Sequence, residues 1–221
     1  MLLALDTSTR LAGIALYSGT DGLIAEYSWH SANRHTVELM PRVAQMLAQA
    51  GVASSDLRAV AIALGPGSFT GLRVALASAK GLALAEDLAL LGVPTLDAVA
   101  YPHSRQPLPV IAVVQAGRGR VCWAPYSHGP AGWTVRAPAG LATIPALAAT
   151  ISRPTQIAGE LAPADREQLA GLSGGQAVLL PPALAIRRPG CLAEIGWNHY
   201  AAGERDDPAS LSPIYLHEPS L

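Results

Sequence analysis

Leu64-Gly65-Pro66-Gly67-Ser68-Phe69-Thr70-Gly71-Leu72-Arg73 lies between an apolar run over 57–64 and an Ala-rich run over 72–85. Strand, glycine-rich turn and helix is the arrangement that aims backbone N–H groups at an anion. The spacing fits neither common phosphate motif. G-x-G-x-x-G would need glycine where Thr70 stands, and a P-loop would need Gly-Lys-Ser/Thr, which is absent. Gly-Pro-Gly-Ser-Phe also differs from the G-x-S-x-G nucleophile elbow, so Ser68 and Thr70 do not make a serine hydrolase. The loop leaves Gly65, Gly67, Ser68, Thr70 and Gly71, with Asp6 from the first strand end, as anion-contact candidates.

Upstream, residues 2–5, 12–17 and 23–29 read as three short strands joined by turns of Ser, Thr, Asp and Gly, an antiparallel meander. A helix is expected over 36–50, with Val37, Met40, Val43, Met46 and Leu47 at helical spacing and Gly51 placed to end it. Pro41 falls early in that helix, where it is tolerated or kinks it. Strand 59–64, the loop, helix 72–85, strand 89–91 and a short helix 96–101 follow, leading to a Pro-rich joint over 102–109. Beyond the joint the order restarts. An ungapped overlay of 4–18 on 113–127 sets Asp6 on Gln115, Arg10 on Gly119 and Tyr17-Ser18 on Tyr126-Ser127. A third strand (133–136), helix 144–151, strand 156–158, helix 163–169, strand 177–180 and helix 192–202 complete the second half. The expectation is an α/β protein of the actin-like, ASKHA (ribonuclease H-like) duplicated two-lobe fold. Its lobes would span 1–103 and 104–207, with an extended tail over 208–221.

With half of 221 residues hydrophobic and 14% charged, the chain has ample material for a core. Its net charge of −1 supplies no basic field for RNA or DNA, and one Phe supplies no stacking platform. Arg187-Arg188 and Arg118/Arg120 read as solvated surface pairs. Cys122 and Cys191 form no C-x-x-C and read as buried small hydrophobes in a reducing compartment. His30, His35, His103, His128, His199 and His217 make no metal-ligand spacing. Met1-Leu2-Leu3-Ala4-Leu5 lacks a basic n-region, and no uncharged run reaches membrane-span length, so a soluble cytoplasmic protein is expected. In actin-like phosphotransferases both lobes supply acidic turns to the metal-nucleotide, but the second turn here, Gln115-Ala116-Gly117-Arg118, has no carboxylate. Asp6 has two open readings, ligand contact or bonding the N–H groups of its own turn.

Gly65-Pro66-Gly67-Ser68-Phe69-Thr70-Gly71-Leu72-Arg73, continued by Ala79-Lys80-Gly81-Leu82-Ala83, resembles the signature of the bacterial TsaB (YeaZ) family. Leu5-Asp6-Thr7-Ser8, His35-Thr36-Val37-Glu38-Leu39-Met40-Pro41, Gly92-Val93-Pro94-Thr95-Leu96 and Pro213-Ile214-Tyr215-Leu216 fit it too. The family's usual Asp-Ala-Arg is replaced here by Gln115-Ala116-Gly117. The resemblance implies a non-catalytic partner of TsaD, the subunit that transfers a threonylcarbamoyl group to the adenosine beside the anticodon of certain tRNAs. It implies a TsaE-type ATPase as further partner, tRNA reached only indirectly, and a homodimer when alone. Cofactors are none, beyond weak nucleotide binding at the loop. Catalytic relatives carry H-x-x-x-H where this chain reads Pro94-Thr95-Leu96-Asp97-Ala98.

In the family the two N-lobe helices pair with those of the partner. The expected interface residues are Met40, Val43 and Leu47 on the first helix, and Leu72, Ala75, Leu76, Ala79 and Leu82 on the second. Ala77, Gly81, Ala83 and Ala85 add small residues that permit close approach. Two alternatives stay open. One is an actin-like nucleotide-binding phosphotransferase or ATPase using Asp6 and Ala158-Gly159-Glu160. The other is a threonylcarbamoyl transferase in its own right.

Overall fold

Five strands, β1 (Leu2–Asp6), β2 (Leu11–Ser18), β3 (Gly22–His30), β4 (Ala59–Ala63) and β5 (Ala89–Val93), form one sheet in the order β3-β2-β1-β4-β5. The computed structural model describes residues 1–32, 34–130 and 132–216. β1, β4 and β5 run parallel, which requires crossover helices between them, whereas the meander β1–β2–β3 is antiparallel. The crossovers are α1 (His35–Ala50) and α2 (Phe69–Glu86). Pro41 sits inside α1 without ending it. Gly51 closes the helix in the left-handed conformation (φ 65°), its N–H donating to Ala48 and Leu47 carbonyls.

A second sheet repeats the plan with β6 (Val110–Gly117), β7 (Arg120–Gly129), β8 (Gly132–Val135), β10 (Thr155–Gly159) and β11 (Ala177–Leu179). Its order, β8-β7-β6-β10-β11, is that of the first sheet strand for strand. α4 (Ile144–Ala149) and α5 (Pro163–Leu172) pack on it around Ile111, Val113, Val121, Ile157 and Leu169. One strand, β9 (Gly140–Thr143), was not expected; it pairs with the start of β7. The ungapped overlay holds along β6 but slips across the turn. Asp6 pairs with Gly13, whereas its counterpart Gln115 pairs with Val121 and not Cys122, so the second turn is one residue tighter.

The described residues divide into two compact units, 1–98 with 188–214, and 99–187 with 215–216. The first boundary, inside α3 (Thr95–Ala100), lies near the expected one. The second corrects it. α6 (Pro189–Ala201), expected to close the second half, packs on the first sheet against all five strands. A Cβ at Gly196 would collide with Ala61, and one at Gly13 with Pro189, so helix and sheet approach closely because these positions are bare. Leu3, Leu5, Ile14, Leu16 and Ile62 face α1 and α2 on the other side. The expected extended tail is irregular over 211–216; residues 217–221, with His217, lie outside the described residues.

Candidate functional site

The β4–α2 loop is a junction of the first unit. Ser68 caps α2, its Oγ accepting from the Gly71 N–H at 3.2 Å and its carbonyl from Leu72 N–H at 2.9 Å. A serine cap contributes about 0.5–2 kcal/mol. The Ser68 N–H donates to the Ser8 carbonyl (2.6 Å), and Thr7 Oγ1 donates to the Gly71 carbonyl (2.6 Å). Side chains at Gly67 and Gly71 would collide with the Ser8 and Thr7 carbonyls, so the loop lies flush on the β1–β2 turn. The Gly65 N–H donates to Thr95 Oγ1 (2.9 Å) and the Gly65 carbonyl accepts from Thr95 N–H (2.8 Å). Ile214 N–H donates to the Leu64 carbonyl at 2.8 Å, with Gly65 (φ 110°) held against the Ile214 carbonyl. Segments from Thr7 to Ile214 therefore meet here, and they are those whose motifs carried the family resemblance.

The anion-contact candidates are brought together, but as a clamp. Gly65 and Gly71 are buried, Gly67 is half-buried, and Ser68 and Thr70 are exposed. The N–H groups of Gly65, Ser68, Gly71 and Leu72 are spent on protein acceptors. Asp6 is buried, and its Oδ1 accepts from the Ser8 N–H (2.8 Å) and Ser8 Oγ (2.5 Å), the turn-stabilising role. One residue of the family motifs that was not among the anion candidates lies within the electrostatic reach of Asp6. His35, first residue of α1, is buried, and its Nδ1 has no hydrogen-bond partner among the described residues. Burial pushes its imidazole below the ordinary value, while the Glu38 and Asp6 carboxylates pull it the other way.

The expected interface residues divide by helix face. With about 100° of rotation per residue, Leu39, Val43 and Met46 point α1 at the sheet; Ala75, Leu76, Ala79 and Ala83 do so for α2. Val43, Leu72, Ala75, Leu76 and Ala79 are therefore core residues and not contact surface, and Leu47 and Leu82 are half-buried against that core. The reason is that a crossover helix must seat its best apolar stripe on its own sheet, at about 1.5–3 kcal/mol per large side chain. Of the expected set only Met40 is exposed. The opposite face carries apolar residues as well, interrupted on α2 by Arg73 and Lys80. On α1 these are Val37 (61% exposed), Met40, Pro41, Ala44 and Ala48; on α2, Phe69 (55%), Ala77, Gly81 and Leu84 (89%). Nothing lies within 4 Å of where a Gly81 Cβ would stand. The signal for this face was helical phase: 37, 41, 44 and 48 are one apolar stripe, while 73, 77, 81 and 84 are a mixed one in which the Arg73 guanidinium lies 3.8 Å over the Phe69 ring.

In the second unit, Gln115 occupies the turn position matching Asp6 and donates from Nε2 to Asp165 Oδ2 at 2.7 Å. Gly159 (φ 116°) is seated against the Val113 carbonyl, and Glu160 pairs with Arg187. Cys122 is buried and Cys191 half-buried; burial pushes each thiol up to about 11, far from thiolate chemistry. Among the described residues, no His/Cys/Asp/Glu group is placed to hold a metal and no helix is long and apolar enough to cross a membrane.

Two sheets of identical strand order, each with crossover helices on it, define a duplicated actin-like, ASKHA-type protein. At the level of fold alone it is similar to the ethanolamine utilization protein EutJ from Carboxydothermus hydrogenoformans (TM-score 0.51, 14% identity, 86% of this chain and 88% of that one). The family model described as "TsaD: tRNA N6-adenosine threonylcarbamoyltransferase" matches residues 26–142. The tRNA threonylcarbamoyladenosine biosynthesis protein TsaB of Escherichia coli (strain K12) is 36% identical over 129 residues, 58% of this chain and 55% of that protein. This chain thus spans about half the length of that curated relative. The uncharacterized protein Mb3455c of Mycobacterium bovis is 31% identical over 99% of this chain and 92% of its own length. YeaZ from Pseudomonas aeruginosa superposes with a TM-score of 0.76 at 26% identity, over 97% of this chain and 99% of that one. The chain belongs to the TsaB/YeaZ family.

Proposed function

We propose that this chain is a non-catalytic subunit in the synthesis of N6-threonylcarbamoyladenosine on tRNA. It binds a TsaD-type catalytic subunit through the outer faces of α1 and α2 and holds that subunit in an active arrangement. A TsaE-type ATPase joins the assembly, and tRNA is reached only through the catalytic subunit. The carrying observation is the pair of outward faces with exposed apolar residues, Val37, Met40, Pro41, Ala44 and Ala48 on α1 beside Phe69, Ala77, Gly81 and Leu84 on α2, the latter flanked by the cations Arg73 and Lys80. Both helices have already satisfied the core with their other faces, so a second apolar face has no role within the fold. Gly81 strengthens the reading. A mid-helix glycine costs about 1 kcal/mol relative to alanine, and no internal neighbour requires it. Close approach of a partner helix accounts for it. The loop then serves geometry, launching α2 from a clamp tied to the β1–β2 turn.

The test is titration of the purified TsaD-type subunit with wild-type chain and with Ala77→Glu, alongside a tRNA modification assay. Ala77 is exposed, so the charge leaves the fold intact while entering the contact. Binding is expected to weaken at least about tenfold, roughly 1.4 kcal/mol, with modification falling in step. Undiminished binding by Ala77→Glu, or ATP turnover by the isolated chain, would overturn the reading.

A further inference from the structure

The C-terminal stretch 206–214 makes more contacts with the docking apparatus than a loose tail would. Asp206 N–H donates to the Leu90 carbonyl (2.9 Å), and Asp206 Oδ2 accepts from Gly92 N–H (2.7 Å), closing part of the free edge of β5. Leu211 and Ile214 pack against the core that α2 shares with the sheet. The Leu211 side chain approaches Gly92 beside Leu64, and the Ile214 carbonyl meets Gly65 next to the Leu72 side chain. The Ile214 N–H takes the Leu64 carbonyl, the last backbone acceptor before the loop. One short stretch thus grips the strand that enters the loop and the loop's first glycine, which in turn lies against the Leu72 side chain in the first turn of α2.

We propose that residues 206–214 are a strap that positions the start of α2, and with it the partner-binding face, so that removing or displacing the strap switches docking down while leaving the fold in place. The proposal rests, for its second half, on the docking role of α2 given above. Its first half does not. The physical basis is leverage: α2 enters through a loop fixed at the β1–β2 turn, at Thr95 and at Ile214. Losing the third tie frees Leu64 and Gly65 while the Ser8–Ser68 and Thr7–Gly71 bonds remain. Loosening is therefore local to the entry of α2.

Three full-length variants and one shortened chain test this. Ile214→Pro deletes the N–H donor, Leu211→Ala removes the packing contact, Ile214→Val keeps both as the conservative control, and the shortened chain ends at Asp207. Amide hydrogen exchange over 64–72 is compared with exchange over 12–17 in β2, and each protein is titrated with the purified TsaD-type subunit. Ile214→Pro and the shortened chain are expected to exchange at least about tenfold faster over 64–72 with β2 unchanged, and to bind about tenfold more weakly. Ile214→Val should behave as wild type, and a synthetic peptide of residues 208–216 added in excess to the shortened chain should restore protection and binding. Should the shortened chain fail to fold, the Ile214→Pro result decides. Unchanged exchange over 64–72 overturns the strap. Faster exchange with undiminished binding, while Ala77→Glu abolishes binding, overturns its link to docking. Undiminished binding by Ala77→Glu instead removes the docking role itself and leaves the exchange result standing.

Discussion

His35 shows how one buried side chain makes stability depend on pH. Its imidazole is held below the ordinary histidine value near 6.5, so it is neutral in the folded chain at pH 7. Between the folded and unfolded values the unfolded chain binds more protons, and stability rises with pH there. The stability conferred by neutral His35 is therefore complete above about pH 6.5 and is lost as pH falls from there through the lower folded value. His103, also lowered by burial, adds a slope of the same sign. Thermal unfolding between pH 8 and 5 should show a falling midpoint, and His35→Asn should flatten part of that fall. An unchanged slope in His35→Asn would assign the whole effect elsewhere. Glu38, Asp21 and Asp207 lie below their ordinary carboxylate values through hydrogen bonds, so their contributions disappear only at more acidic pH.

At the scale of elements, Gly81 is the sharpest test of what α2 is for. Alanine fits there without a contact, so Gly81→Ala should stabilise the free chain by about 0.5–1 kcal/mol, raising the melting temperature by about 1–4 °C. Gly81→Leu should melt much as wild type does yet bind the TsaD-type subunit more weakly; equal binding by both variants would deny Gly81 a role in close approach. The same helix explains what was legible in sequence. Strands β1 to β5 were marked by apolar runs between Ser, Thr, Asp and Gly turns, and Gly51 ended α1 as its type suggests. β9 escaped because four residues among Ala, Pro and Gly show no alternation. Most of the expected interface residues are buried against their own sheet, and sequence did not separate the faces because α2 has Ala or Gly at 75, 77, 79, 81, 83 and 85, on both sides of the helix. Such a helix has almost no hydrophobic contrast, and only its phase against the sheet separates Ala79 from Ala77. The clamp was visible as separate motifs, but nothing in one sequence says that Thr95 and Ile214 meet Gly65.

For the whole molecule, the informative correction is the placement of α6. Its order in the chain suggested the second half, and its apolar residues carry no label for the sheet they cover. Gly196 supplies the test, since Ala61 on β4 leaves it no room. Gly196→Leu should cost about 2–4 kcal/mol through overpacking and strand displacement, read as a lowered denaturant midpoint. Gly171→Ala on α5, with open space around it, should cost nothing. Equal effects of the two would mean that α6 does not pack on the first sheet. The discontinuity has a further consequence for how the chain is made. Residues 1–98 emerge from the ribosome first, but the helix that covers one face of their sheet begins only at Pro189. The 89 residues from Val99 to Arg187 must be synthesised in between, which takes roughly 5–20 s at typical translation rates. For that interval Leu2, Ala4, Ala15 and Ala61 lack their cover, and the nascent chain offers a chaperone an apolar sheet face that the finished protein never shows.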